Sequence, residues 1–186
     1  MHRRNYMLGV IFTNLIEMME QEVGLELTET VLEEANLESK AIYTSVGFYS
    51  PGEVVAIVTT LSAHTGISVG ELVESFGVYL FPKLAEYHPQ AVRGKKSVIE
   101  VLSILDSNIH VEVQKLYPDA QLPDFKTIEE SPTHIKMRYI SENSLEPLAK
   151  GLIIGGATYF NEEVEVVISA ESADYSFITV RKINLS

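Results

Sequence analysis

Cysteine is absent from all 186 residues. That removes disulfides, thiolate metal sites, thiol nucleophiles and covalent attachment of a cofactor through CxxCH, and it fits a reducing compartment. Positive charge is scarce: 14 Lys and Arg stand against 26 Asp and Glu, a net charge of −12. No basic run is longer than Arg3-Arg4 or Lys95-Lys96. A chain with this balance repels phosphate backbones, which excludes direct nucleic-acid binding. Long apolar runs are also missing, since nothing reaches about 18 uninterrupted apolar residues and no membrane span is expected. The N-terminal MHRRNYMLGVIF has basic residues and then a short apolar run, but Glu17, Glu20 and Glu22 follow without a small-residue cleavage site. A cytoplasmic protein is the expectation. Of the common catalytic signatures, GxSxG, the P-loop, GxGxxG after a strand and HExxH are all absent.

Apolar residues are plentiful. They make up 46% of the chain, and mean hydropathy is +0.10. A chain of this length can bury a core and still leave an apolar pocket, in one domain or two tightly joined subdomains. Ile11, Leu15, Met18, Met19 and Val23 recur at helical spacing, with Gly24 as a stop. A short helix around Val31, Leu32 and Ala35 follows, and Ile42–Tyr49 reads as a loop or extended segment. Ser50/Glu53, Ser68/Glu71 and Ser97/Glu100 have the capping-box spacing that starts a helix. Gly66 and Pro89 close the first two of these helices. Pro82 lies inside one, and Pro118 ends the helical region.

Beyond Pro118 the pattern changes. Phe125–Ile128 and Ile135–Ser141 read as strands around a Glu129–Pro132 turn. Leu145–Phe160 reads as an apolar helix with Gly151, Gly155 and Gly156, and Glu163–Ser169 and Ser176–Ile183 read as a hairpin. The expected fold is α+β. A mainly helical part (1–118) precedes an αβ part (119–186) of order ββαββ, whose strands form a four-stranded antiparallel sheet with one helix.

Two places suggest chemistry. In RYISEN, alternation along a strand puts Tyr139, Ser141 and Asn143 on one face, a row of hydrogen-bonding groups able to cradle something polar. Among the five histidines none pairs with another at i+3 or i+4, so no helix offers a two-histidine metal dyad. His2, His64, His88 and His134 lie in polar or terminal surroundings and are expected at the surface. His110 sits between Ile109 and Val111 on a helix with Val113 and Leu116. Such a histidine is more often a satisfied core residue than a ligand. One imidazole is nevertheless enough for a metal that brings its other ligands with it, namely haem iron.

These segments resemble the haem-nitric-oxide/oxygen-binding (H-NOX) family, the stand-alone bacterial type related to the sensor domain of soluble guanylate cyclase. MLGVIFTNLIEMM resembles its opening helix, and IHVEVQKLYPDAQLPDF its proximal-histidine segment. RYISENSLEPLAKGLIIGGATYF resembles its Tyr-x-Ser-x-Arg strand and following helix. The 29-residue step from His110 to Tyr139 suits the family, and the likeness runs from Met7 onward.

The resemblance implies a single H-NOX domain, 1–186, with a non-covalent haem b between its two parts. His110 would be the axial ligand of the iron, Pro123 the residue pressing on the porphyrin, and Tyr139 and Ser141 the donors to its propionates. Ile11 would belong to the distal wall. Asn143 departs from the pattern, because the family has arginine there. Charge-assisted hydrogen bonds run to ~1.5–3 kcal/mol against ~1 for neutral ones, so the change would weaken haem anchoring by roughly one to two kcal/mol. Arg138 points to the opposite face, and Lys150 is a candidate replacement cation. Leu148 stands where oxygen-binding relatives have a tyrosine, and Leu80 and Leu152 add no donor. The expected function is therefore sensing of nitric oxide, and of carbon monoxide, at a ferrous haem that excludes stable oxygen binding. Gas binding would loosen the hold of His110 and shift the two parts. The signal would pass in trans to a histidine kinase or a cyclic-di-GMP enzyme, the chain itself being no enzyme. A haem-free interaction module, with an empty or differently occupied apolar pocket, is the alternative.

Overall fold

The computed structural model describes residues 6–118, 120, 122–141, 145–172 and 174–183. A two-residue strand β1 (Met7–Leu8) leads into α1 (Gly9–Val23), which Gly24 ends at φ 84°. That is a conformation open to glycine without steric cost. Helix α2 (Leu25–Glu34) follows directly, and β2 (Phe48–Tyr49) pairs with β1. Four further helices are α3 (Pro51–Thr65), α4 (Val69–Tyr87), the single turn α5 (Pro89–Val92) and α6 (Val98–Leu102). A π-helical turn, Leu105–Ile109, then feeds α7 (His110–Leu116). Strands β3 (Asp124–Ser131) and β4 (His134–Ile140), helix α8 (Glu146–Tyr159), and strands β5 (Val164–Ala170) and β6 (Ser176–Lys182) complete the chain. The second sheet is antiparallel throughout, in the order β3-β4-β6-β5. The α+β expectation holds.

Only one of the three expected capping boxes is complete. Ser68 accepts from the Glu71 amide while the Glu71 carboxylate accepts from the Ser68 amide. At α6, Ser97 accepts from the Glu100 amide, but the Glu100 carboxylate turns to the amide of Lys96. At α3, Glu53 is buried and accepts from the Ser39 amide, the Ser39 hydroxyl and the Tyr43 hydroxyl. A buried carboxylate needs donors, and these three tie the 39–49 segment down and keep Glu53 from the cap. The first hairpin also differs from expectation. Strand β3 runs on through Glu129 and Glu130 to Ser131, because a bulge between Thr127 and Glu129 restores pairing, and the turn shrinks to Pro132-Thr133.

Two apolar cores form. The first is helical: Phe12, Leu15, Val31, Ile57, Phe76 and Leu80 are among its members, with Leu148 of α8. The second lies between the sheet and α8, with Ile135, Met137, Tyr139, Ile178 and Val180 from the strands and Val98, Ile99 and Leu102 from α6. Helices α4 and α8 join the two cores at very close range. A Cβ on Gly151 would lie 2.0 Å from the Glu74 carbonyl oxygen, and one on Gly77 would lie 2.6 Å from that of Leu148. Only glycine lets the backbones approach this far. No single helix among the described residues is long and apolar enough to cross a membrane.

Candidate functional site

Between the two cores is a cavity of about 470 Å³. Its wall is drawn from α1, α4–α8, the π-turn, the segment before β3 and the end of β4. Among the described residues the lining is mostly apolar, and five bring a polar side chain: His88, His110, Asp124, Tyr139 and Ser141. An enclosed apolar space with a few convergent polar groups is the usual form of a cofactor site.

The chain brings together almost every residue singled out by the sequence. Ile11, His110, Pro123, Tyr139, Ser141, Leu148 and Leu152 all line this one cavity. Asn143 lies outside the described residues. Strand β4 ends at Ile140, so Ser141 follows the strand rather than continuing it. Tyr139 is buried with its neighbours Ile135 and Met137, and its phenol pKa is pushed up to about 12 by that burial, with the Ser141 hydroxyl pulling the other way. Arg138 is on the opposite face, its guanidinium 6.0 Å from the Tyr175 ring.

His110 is not a satisfied core histidine. Its Nδ1 is buried without a hydrogen-bond partner among the described residues, and the nearest carboxylate oxygen among them, Asp106 Oδ1, is 3.8 Å away. Burial lowers the imidazole pKa from its ordinary value; Asp106, the Pro123 backbone and Asp124 act in the opposite direction. The net effect favours neutral imidazole, the form that binds metals. The Phe125 ring lies 5.8 Å from the His110 ring and 5.0 Å from that of Tyr139, linking ligand candidate and hydroxyl pair through one aromatic contact.

Three expectations are corrected. Lys150 is held by Glu74 at 2.9 Å, since α4 and α8 pack side by side, so it is not a spare cation for the cavity. Leu80 is fully buried in the helical core and does not line the cavity; the α4 face that does so carries Phe81, Leu84 and Ala85, and His88 caps the helix's C-terminal end beside them. His88 is therefore a half-buried lining residue, not a surface one. The i, i+3, i+4, i+7 spacing of that stripe was visible in the sequence; what it faced was not. His64 does lie in a polar setting, 2.7 Å from Glu34. His2 lies outside the described residues.

Comparison with known proteins decides the family. The Haem-NO-binding family matches residues 8–168. The chain belongs to this family. An unliganded Fe(II) H-NOX protein from K. algicida is 31% identical, with a TM-score of 0.89 over 97% of this chain and 99% of that one. The H-NOX from Shewanella woodyi, solved bound to IWP-051 in its Fe(II)CO state, is 37% identical, with a TM-score of 0.81 over 97% of this chain and 99% of that one. An S. oneidensis H-NOX protein in the Fe(II)NO state is 26% identical, with a TM-score of 0.87 over 96% of this chain and 100% of that one. A search of curated proteins finds no match. Membership implies haem-based gas sensing, by a domain that senses rather than catalyses.

Proposed function

We propose that this H-NOX chain is a single domain, with its mainly helical part at 1–118 and its αβ part at 119–186, that holds a non-covalent haem b and senses nitric oxide. The observation that carries the reading is His110: a half-buried imidazole whose Nδ1 is buried and has no hydrogen-bond partner among the described residues, on the wall of an apolar cavity that also gathers Tyr139 and Ser141. With Nδ1 packed into the wall, Nε2 is the nitrogen left for iron. A ferrous haem bound there supplies a metal centre open to a diatomic gas. Pro123, rigid at φ and lining the same cavity as His110, would press on the macrocycle. Tyr139 and Ser141 would donate to its carboxylates. The sequence has asparagine at position 143 where the family pattern has arginine, a neutral group in place of a charged one, which would leave the haem less firmly anchored.

Ile11, Leu148 and Leu152 also line the cavity and bring no side-chain hydrogen-bond donor. Bound dioxygen is polar and gains from a donor; nitric oxide and carbon monoxide do not need one. The site therefore takes the latter two and does not hold oxygen stably. The signal passes in trans, to a histidine kinase or a cyclic-di-GMP enzyme.

An absorption spectrum tests this. Purified protein supplied with haem is expected to show a Soret band that moves on adding nitric oxide to the reduced form. Absence of haem uptake would overturn the reading in favour of a haem-free interaction module. In His110→Ala, ligation is expected to disappear and to return with free imidazole; unchanged ligation would reject His110.

A further inference from the structure

The unpaired nitrogen of His110 has a carboxylate beside it. Asp106 lies four residues earlier, and its Oδ1 is 3.8 Å from Nδ1, too far for a hydrogen bond as the two side chains stand. The same oxygen accepts a long contact, 3.5 Å, from the Phe125 amide. Asp106 thus joins the π-turn to the start of β3, beside the ring that packs on His110. The turn itself is wide. Ile109 donates to the Ile104 carbonyl and His110 to that of Leu105, each five residues back. Turns of this kind concentrate at functional sites, where they re-aim a side chain.

We propose that Asp106 is a positioning residue for the histidine ligand: its carboxylate rotates in to accept a hydrogen bond from Nδ1–H of His110, which leaves Nε2 free for haem iron. The proposal rests on the haem reading and adds to it a control over how firmly His110 holds the metal. Two other groups face the ring, the Asp124 carboxylate and the Pro123 backbone. The Pro123 carbonyl belongs to a proline whose φ is fixed, on the cavity wall itself. Asp106 is half-exposed and can close the gap by side-chain rotation alone. A carboxylate acceptor fixes the tautomer of a ligating histidine and raises its basicity. Asp106 therefore strengthens the grip of His110 and resists its displacement when gas binds on the other side.

Two measurements test the contact. In the haem-free protein at neutral pH, the ring-nitrogen chemical shifts of His110 are expected to show the Nδ1-protonated tautomer, and Asp106→Ala is expected to give a mixture. In the haem-loaded ferrous protein, the iron–histidine stretching band is expected at lower frequency in Asp106→Asn than in the wild type. The share of nitric-oxide-saturated protein with His110 detached is expected to rise severalfold. Asparagine keeps an acceptor for the Phe125 amide, so this variant removes the charge without untying β3. An unchanged band and an unchanged share would overturn the proposal, as would be seen if the Pro123 carbonyl were the acceptor. A wild-type protein that takes up no haem would overturn the functional reading instead, and the nitrogen shifts would still decide whether Asp106 holds the ring.

Discussion

The two cores differ in what they offer the cavity between them. The helical core presents Ile11, Leu148 and Leu152, side chains that supply shape and no hydrogen bonds. The other wall presents His110 from α7 together with Asp124, Tyr139 and Ser141 from the αβ part, around Pro123 and Phe125. One wall can exclude a polar guest, and the other can hold a charged and ligating one. His88, at the end of the α4 stripe, is the exception on the helical side. Sharing the cavity between two separately packed cores lets each wall be built without compromising the other.

The seam between the cores is where the comparison breaks most easily. Gly151→Ala puts a methyl group 2.0 Å from the Glu74 carbonyl oxygen, so α8 must back away from α4. Overpacking of this kind costs ~1–3 kcal/mol or more, and a lower urea midpoint in chemical unfolding is the expected result. Leu148→Tyr would give the helical wall a donor of the kind the other wall has. It is expected to produce a reversible spectral change in air that the wild type lacks. The added bulk costs about 1–3 kcal/mol, readable in the same unfolding experiment. Removing a donor from the αβ wall is the converse. In Tyr139→Phe the haem is expected to dissociate roughly five- to tenfold faster, the equivalent of one hydrogen bond of ~1 kcal/mol, as timed by transfer to a haem acceptor.

The smallest effect expected is on pH dependence. Because burial raises the Tyr139 pKa to about 12, the phenol stays protonated in the fold at pH values where the unfolded chain, near pKa 10, loses its proton. Its contribution is fully present below pH 10 and is lost as pH rises from there through about 12. Tyr43, raised by its burial and by Glu53, acts in the same direction on the helical side. Alkaline unfolding midpoints of Tyr139→Phe and Tyr43→Phe would separate the two cores, each variant showing a shallower loss than the wild type.

Much of this was legible from residue patterns. Helical periodicity located α1, Gly24 and Gly66 marked helix ends, and alternation gave the strands of the antiparallel sheet, because these signals depend on neighbours within one turn or one pleat. Boundaries set by distant partners were not legible. The first strand outran its expected end because a bulge let Glu129 face Lys136, and Glu53 left its cap for Ser39 and Tyr43. Lys150 looked free until α4 supplied Glu74. Asp106 could be counted four residues before His110, but only the π-turn and the cavity wall gave that spacing a meaning.

By itself, then, the sequence determined the secondary structure in outline, the family likeness and the identities of the groups that can bind: one histidine among apolar residues, and a tyrosine and serine two apart. Tertiary structure decided which of them share a space. It closed two cores around one cavity, buried Nδ1 of His110 without a partner, moved His88 onto the wall and Leu80 off it. The physical reason is one of range. Propensity and periodicity are set by adjacent residues, whereas burial and hydrogen-bond satisfaction depend on which distant segments, here α4 against α8 and the π-turn against β3, come into contact.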